Sequence, residues 1–160
     1  MHRQEPEDLL IQQAIKRDRV AFATLYDKYI DQVYQHVYYR VSDQVDAEDI
    51  TQEAFIRAWK AINRYKRTGA PFVAWLIAIA RNLIADHYKK AKKKAVSLEE
   101  AKVSNQSSET SLEAIVESTI NRSHVKNAVS KLKGDKQKVI TMRFIDGFSY
   151  REIARILHKS

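Results

Sequence analysis

The chain has no cysteine, and only three glycines and two prolines among its 160 residues. Each scarcity excludes something. Without cysteine there is no disulfide, no thiolate metal site and no thiol nucleophile. So little glycine and proline counts against a turn-dense β fold and favours helices. Three isolated glycines cannot build a Gly-rich phosphate loop. The histidines, His2, His36, His87, His124 and His158, are scattered, and none stands at helical metal-ligand spacing from another. The opening stretch Met1–Asp8 is polar and lacks the basic-then-apolar order of a signal segment. Residues 70–85 are nearly all apolar, but the run is too short to cross a bilayer and Arg81-Asn82 interrupt it. The expectation is a cytoplasmic protein with no catalytic residue, no metal, no cofactor and no membrane insertion.

What is abundant is positive charge. Lys and Arg number 28 against 20 Asp and Glu, a net charge of +8, and such an excess suits a polyanionic partner as well as a merely soluble basic protein. Apolar residues recur at three and four positions along much of the chain. Pro6-Glu7-Asp8 opens a first helix with Leu9, Leu10, Ala14 and Ile15. A second runs from about Arg19 to Val41 on Phe22, Leu25, Tyr26, Tyr29, Ile30, Val33 and Val37. After a polar break, Asp46 is placed to cap a third helix that reaches roughly Ile62. Pro71 opens a fourth, expected to end near Lys90. Composition then changes at the lysine run 89–94, and the Ser-, Glu- and Gln-rich stretch that follows reads as a linker. Apolar periodicity resumes at Ile115, Val116 and Ile120 and continues through Val125, Val129 and Leu132. Gly134-Asp135 separates that helix from the next, and Asp146-Gly147 ends the latter. The expected fold is all-α: two small helical domains, 1–92 and 114–160, joined by a flexible polar linker over 93–113.

Two helices carry asymmetries. In the third, Ile50, Ala54, Ala58 and Ala61-Ile62, with Phe55 and Trp59, make the inward stripe. The opposite face presents Asp49, Gln52, Glu53 and Ile56, beside Arg57 and Lys60. Acids near a helix start favour the dipole, which accounts for part of this face. An acidic face with an aliphatic residue in it, on a basic protein, also suits docking to a basic protein surface. In the fourth helix Ala74, Ala78, Arg81, Asn82, Ala85 and Lys89 share one stripe. Small residues beside Arg and Asn suit helix packing, and equally the close approach of an extended nucleic-acid strand. Ahead of that helix, Arg64-Tyr65-Lys66-Arg67 places an aromatic ring among cations, the combination that stacks an unpaired base and holds its phosphates.

The order of these pieces is recognisable. The segments Asp46-Ala-Glu-Asp-Ile-Thr-Gln-Glu-Ala-Phe-Ile-Arg-Ala-Trp59 and Phe72-Val-Ala-Trp-Leu-Ile-Ala-Ile-Ala-Arg-Asn-Leu-Ile-Ala-Asp-His-Tyr88 closely resemble region two of the extracytoplasmic-function, or group IV, sigma factors of the sigma-70 family. The segment from Val139 to Leu157 resembles the first part of their region four. The resemblance implies a subunit that directs bacterial core RNA polymerase to promoters and nucleates melting of the minus-ten element. It implies polymerase binding by Asp49, Gln52, Glu53 and Ile56. Contact with promoter DNA falls to Arg57, Arg64, Tyr65, Lys66, Arg67, Arg81, Asn82 and Lys89, with base capture and reading by Tyr65, Arg81 and Asn82. Trp75 matches the family's tryptophan, and its spacing with Phe72, Leu76 and Ile79 gives it core packing. An anti-sigma factor is the implied regulator, and the polymerase supplies the chemistry.

At the end of the chain, Ser149 and Glu152 form a capping box, and Ile153, Ala154 and Leu157 supply a buried stripe. This reads as the first helix of a helix-turn-helix, with Ser160 placed to cap a second. The reading helix for the minus-thirty-five element is then expected to be missing, leaving Arg151 and Arg155 to touch DNA phosphates. Two other readings stand beside the sigma factor: a helix-turn-helix regulator that binds duplex without polymerase, and a truncated decoy that occupies polymerase or an anti-sigma factor.

Overall fold

The computed structural model describes residues 6–98 and 123–158. Helix α1 (Pro6–Ile15) begins with proline at its first position and Glu7 and Asp8 in its first turn, which complement the helix dipole. Glu7 accepts a hydrogen bond from the Tyr29 hydroxyl and pairs with Lys28 at 3.4 Å, tying α1 to α2 (Arg19–Val41). Asp18 caps α2, its carboxylate accepting from the amides of Val20 and Ala21. Between the two helices Arg17 takes a left-handed backbone, φ 69°. Its guanidinium donates to the carbonyls of Trp59 at 2.5 Å and Lys60 at 3.2 Å, filling orphan acceptors at the end of α3.

Ser42, at φ 59°, closes α2, and α3 (Gln44–Ala61) starts at once. The cap of α3 is Asp43, whose carboxylate accepts from the Asp46 amide; the sequence pointed to Asp46, which instead lies in the first turn. Asp43 takes the role because left-handed Ser42 already reverses the chain, leaving its neighbour extended. A short 3-10 turn, Ile62–Arg64, leads through the loop to α4 (Phe72–Leu98). That helix runs past the expected end near Lys90, so the boundary at residue 92 falls inside it. No glycine or proline interrupts 72–98, and alanine and lysine propagate helix well. Helices α2, α3 and α4 pack around Leu25, Val33, Val37, Ala54, Ala58, Ile62, Leu76 and Ala80, all essentially solvent-free.

The second unit has α5 (123–130), α6 (Asp135–Ile140) and α7 (Tyr150–Ile156). Most of the expected linker, the apolar positions 115–120 and Lys159-Ser160 lie outside the described residues. The run that begins with α6 ends at Asp146-Gly147, as the sequence indicates, but not as a plain α-helix. It widens into a π turn, Thr141–Ile145, closed by the Asp146 amide donating to the Thr141 carbonyl at 3.0 Å. Met142, Phe148 and Ile153 bury themselves in a cluster continuous with the core of the first unit. The described residues are all-α, with no strand among them.

Candidate functional site

The α3 surface is divided as its spacing predicts. Ala47, Ile50, Thr51, Ala54, Phe55 and Ala58 face inward. Asp49 and Gln52 are exposed, and Ile56 keeps 48% of its surface in water. Glu53 is half-buried and pairs with Arg57 one turn on, Nε to Oε1 at 3.0 Å. Such a solvent-exposed pair contributes about 0.5 kcal/mol or less, so a partner can recruit either charge at small cost. The four residues therefore form one accessible patch, acidic with an aliphatic centre.

The basic loop is anchored to α4 by aromatic packing. The Tyr65 ring lies edge-on to Phe72, centroids 5.3 Å apart, and tilted against Trp75 at 5.0 Å. It is half-buried, and burial, with help from Glu7, raises its phenol above the ordinary value. Tyr65 is thus a ring at the rim of the core with one part open, not a free-standing stacking arm. Trp75 packs as its spacing predicts, on Phe72 and Tyr65. Arg64 and Lys66 are exposed, while Arg67 reaches back to pair with Asp8 of α1. On α4, Ala78, Arg81, Asn82, Ala85 and Lys89 are all exposed, with Ala74 half-buried at the start of the stripe. The stripe is solvent-facing along its length. Arg151 and Arg155 are exposed on α7, whose start has the Ser149–Glu152 capping box in both directions, at 3.2 and 2.8 Å.

One group of residues was not anticipated. His36, on the buried face of α2, meets Asp146 of the second unit, Nδ1 to Oδ1 at 2.6 Å. Arg40 Nη1 stands 3.3 Å from the same oxygen, and the Gln32 amide donates to the Asp146 carbonyl at 2.5 Å. His36 and Asp146 are 0% and 1% exposed. Burial pushes the His36 imidazole below its ordinary value, outweighing the attraction of Asp146, and the Arg40 and Arg81 charges push the same way. Burial alone would raise the Asp146 carboxyl, but the hydrogen bond from His36 and the Arg40 guanidinium prevail and hold it below the usual carboxylate range. The signal in the sequence was a histidine inside an apolar stripe, between Val33 and Val37, where a polar group needs a buried partner.

Among the described residues no cluster of His, Asp or Glu could hold a metal ion, and no helix is long and apolar enough to cross a membrane.

The described residues form an all-α body with an acidic face on α3, a basic loop ahead of α4, a stripe of small residues with Arg81 and Asn82 along α4, and a capped helix α7. Comparison with known families gives its membership. The model of Sigma-70 region 2 matches residues 25–94 and that of Sigma-70, region 4 matches residues 124–160, so the chain belongs to the sigma-70 family. It is 34% identical over 158 residues to the ECF RNA polymerase sigma factor SigW of Bacillus subtilis (strain 168), covering 92% of this chain and 83% of that protein. This places it among the ECF sigma factors. It is also 38% identical over 152 residues to the ECF RNA polymerase sigma factor BldN of Streptomyces coelicolor, across 94% of this chain; it spans 57% of that relative's length. The fold is similar to that of CnrH, solved in complex with the cytosolic domain of CnrY, with a TM-score of 0.62 over 95% of this chain and 82% of that one, at 23% identity.

Proposed function

We propose that this ECF sigma factor binds bacterial core RNA polymerase through the outer face of α3 and takes the melted minus-ten strand of the promoter on the loop and stripe of α4. The observation that carries the reading is the division of surfaces. A carboxylate patch centred on exposed Ile56 stands on a chain of net charge +8, while the cationic loop and the small-residue stripe with Arg81 and Asn82 lie elsewhere on the same body. Asp49, Gln52, Glu53 and Ile56 are the docking residues. Arg57, Arg64, Lys66 and Arg67 hold phosphates, Tyr65 offers the open part of its ring to a base, and Arg81, Asn82 and Lys89 track the strand along α4. Arg151 and Arg155 contribute phosphate contacts from α7. The region-two unit takes in α1 to α4, and the region-four unit takes in α5 to α7.

The protein works in the cytoplasm and is not itself an enzyme: the polymerase carries out catalysis, and an anti-sigma factor covering these surfaces would silence it. The test is capture of core polymerase by the full chain, with Asp49→Arg combined with Glu53→Arg as the partner variant. Asp49 is exposed and Glu53 is only half-buried, on the face away from the core, so the fold should survive; binding should fall at least about a hundredfold, as for loss of two interfacial charges of about 1.5 kcal/mol or more each. Undiminished capture by the variant would overturn the docking face.

A further inference from the structure

The basic loop between α3 and α4 is held at both ends by α1 and the corner that follows it. At the near end, Arg17 Nη2 donates to Asn63 Oδ1 at 3.3 Å, inside the 3-10 turn from which the loop departs. The same guanidinium caps α3 through the carbonyls of Trp59 and Lys60, and lies over the Trp59 ring at 5.3 Å from its centroid. At the far end, Asp8 of α1 pairs with Arg67. Between these two ties, the Tyr65 ring rests on Phe72 and Trp75.

The turn itself does not call for arginine. A φ of 69° is a left-handed conformation that strains any residue with a Cβ and that glycine adopts without steric cost. The backbone there is already bonded, the Arg17 amide to the Ala14 carbonyl at 2.9 Å and the Asp18 amide to that of Gln13 at 3.0 Å. What the arginine adds is the reach of its fork to groups 42 to 46 positions away. Two of its bonds complete α3, where the last carbonyls lack partners within the helix. The third, to Asn63, acts beyond α3. Asn63 stands two residues before Tyr65, so the bond that fixes it also sets the direction in which the loop leaves the helix.

We infer that Arg17 is a positioning residue for capture of the promoter strand: its guanidinium joins the end of α3 to the start of the loop and, with Asp8 at the far end, presents Arg64, Tyr65 and Lys66 in one arrangement. The positioning role rests on the promoter-strand function proposed above for those three residues; the brace stands on the contacts alone. A loop ordered before the strand arrives loses less conformational freedom on binding, so Arg17 strengthens strand capture without touching the strand. Removing Asp8 would also free Arg67 for a phosphate, two effects of opposite sign, and Arg17 therefore gives the cleaner test.

The full chain has no native cysteine, so one spin label at Thr68→Cys, exposed within the loop, reports loop motion. Arg17→Gly removes the guanidinium and keeps the turn. Asn63→Ala removes only the loop-side acceptor and leaves both carbonyl bonds of Arg17 in place. The parent label should give a broad, restricted spectrum, and both variants a sharper, mobile one. Asn63→Asp, which keeps the accepting oxygen, should restore the restricted spectrum. An Arg17 that served only to cap α3 would leave the label unmoved by Asn63→Ala.

Strand affinity is read in the presence of core polymerase, with a fluorescein-labelled single-stranded oligonucleotide of random sequence. Arg17→Gly should bind about tenfold more weakly, as for the ordering of one or two side chains and their loop. Asn63→Ala should lose about threefold, as for one hydrogen bond. Capture of core polymerase should match the parent in both, which separates loss of the loop from loss of the fold. A label as restricted in both variants as in the parent would overturn the brace. A mobile label with parent-like strand affinity, where Arg64→Ala does weaken the strand, would overturn the positioning role. Strand affinity that ignores Arg64→Ala as well would instead overturn the promoter-strand reading and the positioning role with it, while the label spectra still decide the brace.

Discussion

The imidazole of His36 and the carboxylate of Asp146 meet at 2.6 Å across 110 positions of sequence, and neither side chain reaches solvent. Since His36 belongs to the region-two unit and Asp146 to the region-four unit, their contact links the protonation of one residue to the packing of two domains. The groups that face His36 are Asp146 across the interface, Arg40 on its own helix and Arg81 on α4.

This geometry predicts a pH dependence. Packed against Asp146, the His36 imidazole sits below the ordinary value of 6.5; separated and opened to water, it moves back toward that value. Between the two, the separated form binds more protons, so the contact is at full strength above 6.5 and weakens as pH falls below it. Asp146 is depressed from 3.8 in the contact, so its contribution persists above that value and disappears only in stronger acid. Histidine therefore sets the window. The distance between spin labels at Lys60→Cys and Lys136→Cys, both exposed, should lengthen between about pH 7.5 and about pH 5.5, and His36→Gln should flatten that response. A parent distance that is constant across the range would contradict the assignment.

Gly147 offers a backbone test of the turn that carries Asp146. An added Cβ would meet the Gln32 side chain at 3.6 Å, an ordinary contact, so a steric clash is not expected. The left-handed φ of 79° is what alanine resists, at about 1 kcal/mol. Gly147→Ala should therefore lower the urea midpoint of the full chain, and Gly147→Asn should recover part of the loss because asparagine tolerates that conformation. Equal stability of all three would show that the turn relaxes.

The Ser149 cap is separable from the interface. Its hydroxyl accepts from the Glu152 amide at 3.2 Å while Glu152 returns a bond to the Ser149 amide at 2.8 Å. Ser149→Ala removes the first of these and should cost about 1 kcal/mol, read as roughly fivefold faster hydrogen exchange at the amides of α7. The distance between the units should not change.

How much of this was legible in the sequence depends on the range of the interaction involved. Ser149, Pro6 and the apolar spacing of α2 and α3 act within a turn or two of helix, and those elements fall where their residues point. The exposed faces of α3 and α4 follow from the same periodicity once the inward stripe is known. Asp146-Gly147 ends its helix as the local chemistry indicates, but nothing local shows that the Asp146 side chain also serves a partner on α2. Arg17 has the same character: nothing near it in sequence reveals that it completes α3. The end of α4 was misplaced for a different reason, since a lysine run lowers mean hydropathy without breaking a helix.

The division of labour on α4 can be resolved between Arg81 and Asn82, neighbours that are both exposed. A guanidinium on the strand acts mainly through phosphates, whereas an amide can pair with the edge of a base. Arg81→Ala should weaken strand binding in the polymerase complex and lower the slope of log affinity against log salt by about 0.7, one single-strand phosphate contact. Asn82→Ala should leave that slope unchanged and reduce permanganate reactivity of the melted promoter thymines about tenfold, as for loss of one base contact of about 1–3 kcal/mol. Neither substitution touches the α3 face, so polymerase capture should match the parent. Should both variants alter the salt slope equally, the two side chains hold phosphates alike, and base reading must be sought elsewhere on the stripe or at Tyr65.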